Sequence, residues 1–279
     1  MNAPLILLYN TTVTSPLLTI KIGNSNVTFG VFENGVLAAR WRIHTETDKT
    51  VDEYAILLDD LMAQSNLASL QWRGIAIVSV VPTLTTVFQD LCQHHLQHEP
   101  LVVGHHVKTG MSIRYDNPRA LGADRLVAAV AAKAKFGAPV IVIDFGTATT
   151  FNAVNRGGEF VGGAIAPGLN LAADALHNAT AQLPRVDLAM PPHVIATNTI
   201  QAMQSGILFG YVGMVEGMIV RMRAELREPN ARVVATGGLA PMLTPQTKAI
   251  DAVERDLVLD GLRIIFEMNE GIQRTKVSQ

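Results

Sequence analysis

Two short stretches carry the residues whose types and spacing suggest chemistry. Leu17 to Asn26 reads LLTIKIGNSN, and Val140 to Thr149 reads VIVIDFGTAT. Each is an apolar run that ends in a charged residue, any residue, Gly and a small polar residue, so Lys21 aligns with Asp144, Gly23 with Gly146 and Asn24 with Thr147. Glycine lets a backbone approach a phosphate closely, and the amide or hydroxyl beside it donates to phosphate oxygens. Two such bends facing each other could hold a polyphosphate, with an acidic residue at the strand end to hold a cation that neutralises it. One copy alone would read as an ordinary hairpin; two matched copies favour a nucleotide. The copies differ in the charge at the strand end. Lys21 is an ammonium where the second copy has a carboxylate, and an ammonium repels a cation instead of ligating it.

The elements that must position these bends alternate between strands and helices. Leu17 to Ile22 and Val27 to Phe32 are rich in β-branched and aromatic residues and read as a hairpin, followed by a third strand, VLAARWRIHT. Val51 to Leu67 has helical spacing, Gly74 to Val81 is an apolar strand stopped by Pro82, and a helix is expected from Thr83 to His98. The Pro and Gly of YDNPRALGADR then mark a passage, after which the pattern restarts: helix Leu126 to Lys135, strand, bend, strand, the turn RGGE, and FVGGAIAPG as strand or loop. The reading is an α/β protein with an extension over residues 1–16, a first lobe over 17–118 and a second over 119–279.

Composition narrows the partners. With 279 residues, 48% hydrophobic and 16% charged, the chain can bury a large core. A net charge of -2 gives no electrostatic footprint for nucleic acid or an anionic membrane, so the expected partners are small molecules or a second copy. The lone Cys92 cannot form an internal disulfide and reads as a small buried hydrophobe of a reducing cytoplasm. No signal core or membrane span is read at the N-terminus, and the sequon at Asn10 to Thr12 carries no weight in a chain that is not secreted.

The stretches IGNSNVTFGVF, SVVP, YDNPRALGADRLVAAVAA, VIVIDFGTATTFN, GGAIAPGLNLAADAL, QLPRVDL, NTIQAMQSGILFGYVGMVEGMI and ATGGLAP follow one another as in type III pantothenate kinases. The resemblance runs from Leu17 to about Asn269. It implies the two-lobed, duplicated ribonuclease H-like fold of the acetate kinase, Hsp70 and actin superfamily, and transfer of phosphate from ATP to pantothenate with Mg2+ and a monovalent cation, K+ or NH4+. It further implies Asp124, the Asp of GADR, as the proton acceptor, with a capping role for the helix after it as the plainer alternative. Tyr115, Gly122, Ala123, Asp124, Arg125 and Thr199 would contact pantothenate. Lys21, Ile22, Gly23, Asn24, Ser25, Asn26, Val27, Thr28, Gly146 and Thr147 would line the ATP site, with Asp144 as the monovalent-cation ligand. ATGGLAP looks like the Gly-Gly bend near the adenosine.

The chain departs from the family pattern at Lys21, where the family has an acidic residue that helps place magnesium. Three accounts stand: contact between Lys21 and the β- or γ-phosphate, a slow protein serving as a sensor or regulator, or an altered residue. Asn152 is a smaller departure from a frequent Asp and could change cation binding. The helix after Asn198, with Gly206, Gly210, Gly213 and Gly217, is apolar on nearly every face and must be covered. The family suggests a homodimer partner, and a core helix is the alternative. His94 and His98 share a helix face at a spacing that can hold a metal, although solvated surface is the better reading.

Overall fold

The computed structural model describes residues 15–67 and 71–277, and the extension read over 1–16 lies outside them except for Ser15 and Pro16. Two five-stranded sheets are built from the same plan. The first comprises β1 (Leu17–Ile22), β2 (Asn26–Glu33), β3 (Val36–His44), β4 (Gly74–Ser79) and β5 (Leu101–Val102), in the order β3-β2-β1-β4-β5. The second comprises β6 (Val140–Phe145), β7 (Ala148–Val154), β8 (Phe160–Pro167), β9 (Arg232–Thr236) and β10 (Ala252–Val253), in the order β10-β9-β6-β7-β8. In each sheet the second strand runs antiparallel to the first and third, while the fourth joins the first in parallel. That is the ribonuclease H-like order twice over, as the resemblance implied.

The pattern of residues explains the plan. β1 and β6 are central in their sheets and covered on both faces, so they are continuous apolar runs broken only at Thr19, Lys21 and Asp144. Thr19 is fully buried and satisfies its hydroxyl on the Gly30 carbonyl at 3.0 Å. β3 lies at an edge and alternates exposed with half-buried residues. α1 (Val51–Gln64) begins with a capping box in which Thr50 and Glu53 exchange hydrogen bonds, and it packs Tyr54 and Leu58 onto the first sheet.

The helix expected from Thr83 to His98 is α2 (Pro82–Asp90), which widens into a π turn over Leu91–His95. Cys92 is buried there, and burial first, with the Glu99 charge adding to it, pushes its thiol up to about 12, which makes it a packing group and not a nucleophile. On the same turn His95 pairs with Asp59 at 3.0 Å, and His94 is exposed.

α3 (Ala123–Phe136) starts three residues earlier than expected, because Gly122 sits at its N-cap and Asp124 falls in its first turn. It runs through the centre of the molecule beside α7 (Leu257–Val277), and a Cβ on Gly261 would stand 2.2 Å from the Val127 carbonyl oxygen, so the two helices touch backbone to backbone. α7 also packs on β1 and β4, so the C-terminal helix returns to the first sheet.

α4 (Leu169–Asn178) and α5 (Thr199–Leu226) cover the second sheet, and α6 (Ala240–Leu243) follows β9. α5 is long and apolar enough to cross a membrane by length and composition. One of its faces, with Leu208, Tyr211, Val215 and Ile219, is buried in the core of the second sheet. Elsewhere on the helix, Ile200 in its first turn and Val220 near its end are 51% and 67% exposed.

Candidate active site

The doubled topology brings the ends of β1 and β6 together at the floor of a cleft of about 840 Å³ between the sheets. Lys21 Nζ donates to Asp144 Oδ2 at 3.2 Å, and above them Ser25 Oγ meets Thr147 Oγ1 at 2.6 Å. The two bends singled out by their sequence therefore face each other. The first bend is held shut by the Gly23 amide on the Asn26 carbonyl at 3.0 Å and by the Thr45 hydroxyl on the Gly23 carbonyl at 2.6 Å. The second is held by the Gly146 amide on the Ala148 carbonyl at 3.2 Å. Gly168 closes against it so tightly that a Cβ would lie 2.3 Å from the Thr147 carbonyl oxygen.

Asp124 reaches the cleft from the first turn of α3, and its Oδ1 accepts the Arg125 amide at 2.8 Å. Burial raises the Asp124 carboxyl above the usual carboxylate range; the Lys21 charge opposes that, Asp144 adds to it, and the Arg125 amide and charge oppose it. Burial pulls the Lys21 ammonium down. The charges of Asp144 and then Asp124, with the hydrogen bond to Asp144, outweigh that pull and hold it above the ordinary lysine range.

Arg125 is 7% exposed. Its Nε donates to Asn152 Oδ1 at 2.6 Å, and its guanidinium lies 5.8 Å from the centre of the Phe160 ring, whose neighbour across the cleft wall is Tyr115. Its Nη2 is buried and has no partner. A Cβ on Gly163 would come 1.8 Å from the Phe151 carbonyl oxygen and 2.9 Å from that nitrogen, so glycine is required there chiefly by the neighbouring strand. Asn152, read from the sequence as a departure that could change cation binding, holds Arg125 with a neutral oxygen.

The structure gathers most of the residues expected to bind ligands. Lys21, Gly23, Asn24, Ser25, Asn26 and Thr28 line the cleft from the first sheet, and Asp144, Gly146 and Thr147 line it from the second. Tyr115, Gly122, Asp124 and Arg125 line it from the connection and α3. Ile22 and Val27 pair with each other and turn their side chains into the first core, so only their backbone is near the bend. Ala123 packs against the central core. Thr199 is exposed at the start of α5 beside the N-cap Asn198 and borders a separate apolar groove between α4 and α5.

Four charged lining groups escaped the sequence reading. Arg40, Arg42, Arg255 and Asp256 border the cleft, and Arg40 Nε on β3 meets Asp256 Oδ1, in the turn before α7, at 2.7 Å. The signal was present in β3, where arginines two apart share one face of a strand.

Whether a metal fits can be judged at Asp144. Its Oδ1 is buried with no partner, and Gly237, at φ 92°, leaves the space beside it open, since a Cβ there would come within 2.5 Å of that oxygen. No group of three or more His, Cys, Asp and Glu that could hold a metal occurs among the described residues. One carboxylate oxygen facing a phosphate-sized bend suits a cation held chiefly by the oxygens of a nucleotide.

Comparison with known proteins agrees with this geometry. The family model for type III pantothenate kinase matches residues 17–221. The type III pantothenate kinase of Citrifermentans bemidjiense is 48% identical over 254 residues, covering 91% of this chain and 100% of that protein. The one from Moorella thermoacetica is 49% identical over 253 residues, covering 91% and 99%. Among solved structures, a protein described as of the Baf transcriptional activator family from Campylobacter jejuni aligns with a TM-score of 0.58 at 16% identity, covering 91% of this chain and 99% of that one. The ethanolamine utilization protein EutJ from Carboxydothermus hydrogenoformans aligns with a TM-score of 0.52 at 13% identity, covering 90% of each chain. These two likenesses concern the fold alone. The near-complete match in sequence, together with two facing glycine bends and a half-buried carboxylate lining one cleft, places this chain in the type III pantothenate kinase family.

Proposed function

We propose that this chain transfers the γ-phosphoryl group of ATP to the primary hydroxyl of pantothenate, giving 4'-phosphopantothenate, the first step of coenzyme A synthesis in the cytoplasm. The observation that carries the reading is the convergence of Asp124, Arg125 and the two bends on one cleft. Asp124 is the base. Its Oδ1 is occupied by the Arg125 amide, which leaves Oδ2 to orient the substrate hydroxyl and take its proton. The hydroxyl oxygen bonds to the γ-phosphorus as the bond to the β,γ-bridging oxygen breaks, and ADP leaves. Arg125 Nη2 pairs with the pantothenate carboxylate. The lobes, 17–118 and 119–279, close to exclude water. When bound, Mg2+ carried by ATP neutralises charge on the transferred group. Asp144 is the carboxylate suited to a cation beside the phosphates, including the monovalent K+ or NH4+.

A non-catalytic regulator on this fold would bind ligand without turnover, and nothing in the cleft favours it. With Mg2+ and K+ present, ADP release should depend on pantothenate. Release that is absent, or indifferent to pantothenate, would refute the kinase reading.

We further infer that the chain is a homodimer through α5, supported by the exposed Ile200 and Val220 and by the apolar groove beside Gly206 and Gly210. Sedimentation should give twice the chain mass of 30.0 kDa, and Val220→Asp should halve it. A wild-type monomer at micromolar concentration would exclude this assembly.

A further inference from the structure

Lys21 stands where the repeat of the fold has a carboxylate. β1 and β6 occupy the same place in their sheets, and Lys21 and Asp144 the same place near their strand ends, facing Thr28 and Thr150 on the neighbouring antiparallel strands. A carboxylate at position 21 would put three acidic groups around the cleft floor. With Lys21 the floor holds two carboxylates and one ammonium, and an incoming polyphosphate meets a cation at its centre. The ammonium is not spent on a closed structural pair. Its side chain is 25% exposed, its bond to Asp144 Oδ2 is 3.2 Å long, and the other oxygen of that carboxylate has no partner. Both bends open onto it, so phosphates seated between Gly23 and Gly146 would lie within reach of a four-carbon stem.

We propose that Lys21 is a phosphate ligand of the nucleotide: its ammonium leaves Asp144 when ATP enters and pairs with the terminal phosphate oxygens, acting as a cation tethered to the protein. Lysine serves as a point charge on phosphate in other phosphate loops, by the same chemistry. Asp144, released from Lys21, then has both oxygens available to a cation, so the exchange leaves no charge stranded. The consequence is specific to this chain, namely that the β- and γ-phosphates can be held without a divalent metal.

The inference rests on the nucleotide reading of the cleft, and equilibrium binding separates the two. The β,γ-imido analogue of ATP and AMP would be titrated into the full chain, Lys21→Met and Lys21→Asp, each in EDTA and in Mg2+. The unaltered chain should bind the analogue in EDTA. Lys21→Met should bind it there about tenfold or more weakly, the loss expected of one hydrogen bond to a charged group. Its affinity for AMP, which lacks those phosphates, should be unchanged. Lys21→Asp should bind the analogue only with Mg2+. Equal binding of the analogue in EDTA by the unaltered chain and Lys21→Met would overturn the assignment while leaving the kinase intact, and so would an equal loss of AMP, which would mark a merely structural lysine. If no form binds either nucleotide in either condition, the nucleotide reading falls and this inference with it.

Discussion

Asp124→Asn should lower kcat by about 10²- to 10⁴-fold, the usual contribution of a positioned general base, while leaving the affinity for ATP nearly unchanged. The substitution keeps the side chain's size, and an Asn oxygen can still accept the Arg125 amide that now binds Asp124 Oδ1 at 2.8 Å. It removes only the capacity to take a proton. The unaltered enzyme should also report this group in its pH profile. Because burial raises the Asp124 carboxyl, kcat/KM for pantothenate should fall as the pH drops through that raised value, since the protonated acid cannot act as a base. Lys21 is the largest influence holding the value down, so Lys21→Met should move the acid limb of its residual activity to higher pH. A kcat for Asp124→Asn within a few-fold of the unaltered chain would remove Asp124 from the chemistry and reduce it to a residue in the first turn of α3.

Much of this site was legible in the sequence because its parts are local. Each phosphate bend is a hairpin turn, and its residues lie within ten positions of one another. The apolar runs of β1 and β6 are long and flanked by Gly, so their burial and their repetition could both be read. What could not be read depends on contacts between distant residues. Arg40 meets Asp256 more than two hundred positions away, and no periodicity of β3 reveals what its exposed face will touch. Asn152 is a neutral residue in a central strand, and its role followed only from finding Arg125 Nε 2.6 Å from its oxygen. The start of α3 was set three residues late because Gly122 offers no side-chain cap to mark it. α5 is apolar all round, which required cover, but composition could not say which face the second sheet takes and which is left exposed.

Arg125→Met should raise KM for pantothenate by roughly 10- to 100-fold, the loss of one or two charge-assisted hydrogen bonds, with a smaller effect on KM for ATP. The argument begins with an imbalance. A buried guanidinium is costly unless its donors are met, yet Nη2 has no partner and the neighbour that fixes the group, Asn152, is neutral. The charge is therefore held in position with no hydrogen-bonded anion, Asp124 acting on it only through space, at the wall formed by Phe160 and Tyr115. An anionic substrate group would supply what the protein withholds. Pantothenate has one carboxylate, and on the proposed mechanism its hydroxyl would reach Asp124, one residue away on the same helical turn. Methionine fills the space of the arginine stem without its charge, so the fold should tolerate it at the cost of leaving the Asn152 oxygen unpaired. Lysine at this position should recover part of the affinity, since it restores the charge but not the planar fork. If KM for pantothenate is unmoved, or KM for ATP rises equally, the carboxylate lies elsewhere and Arg125 serves only to pin α3 to the second sheet.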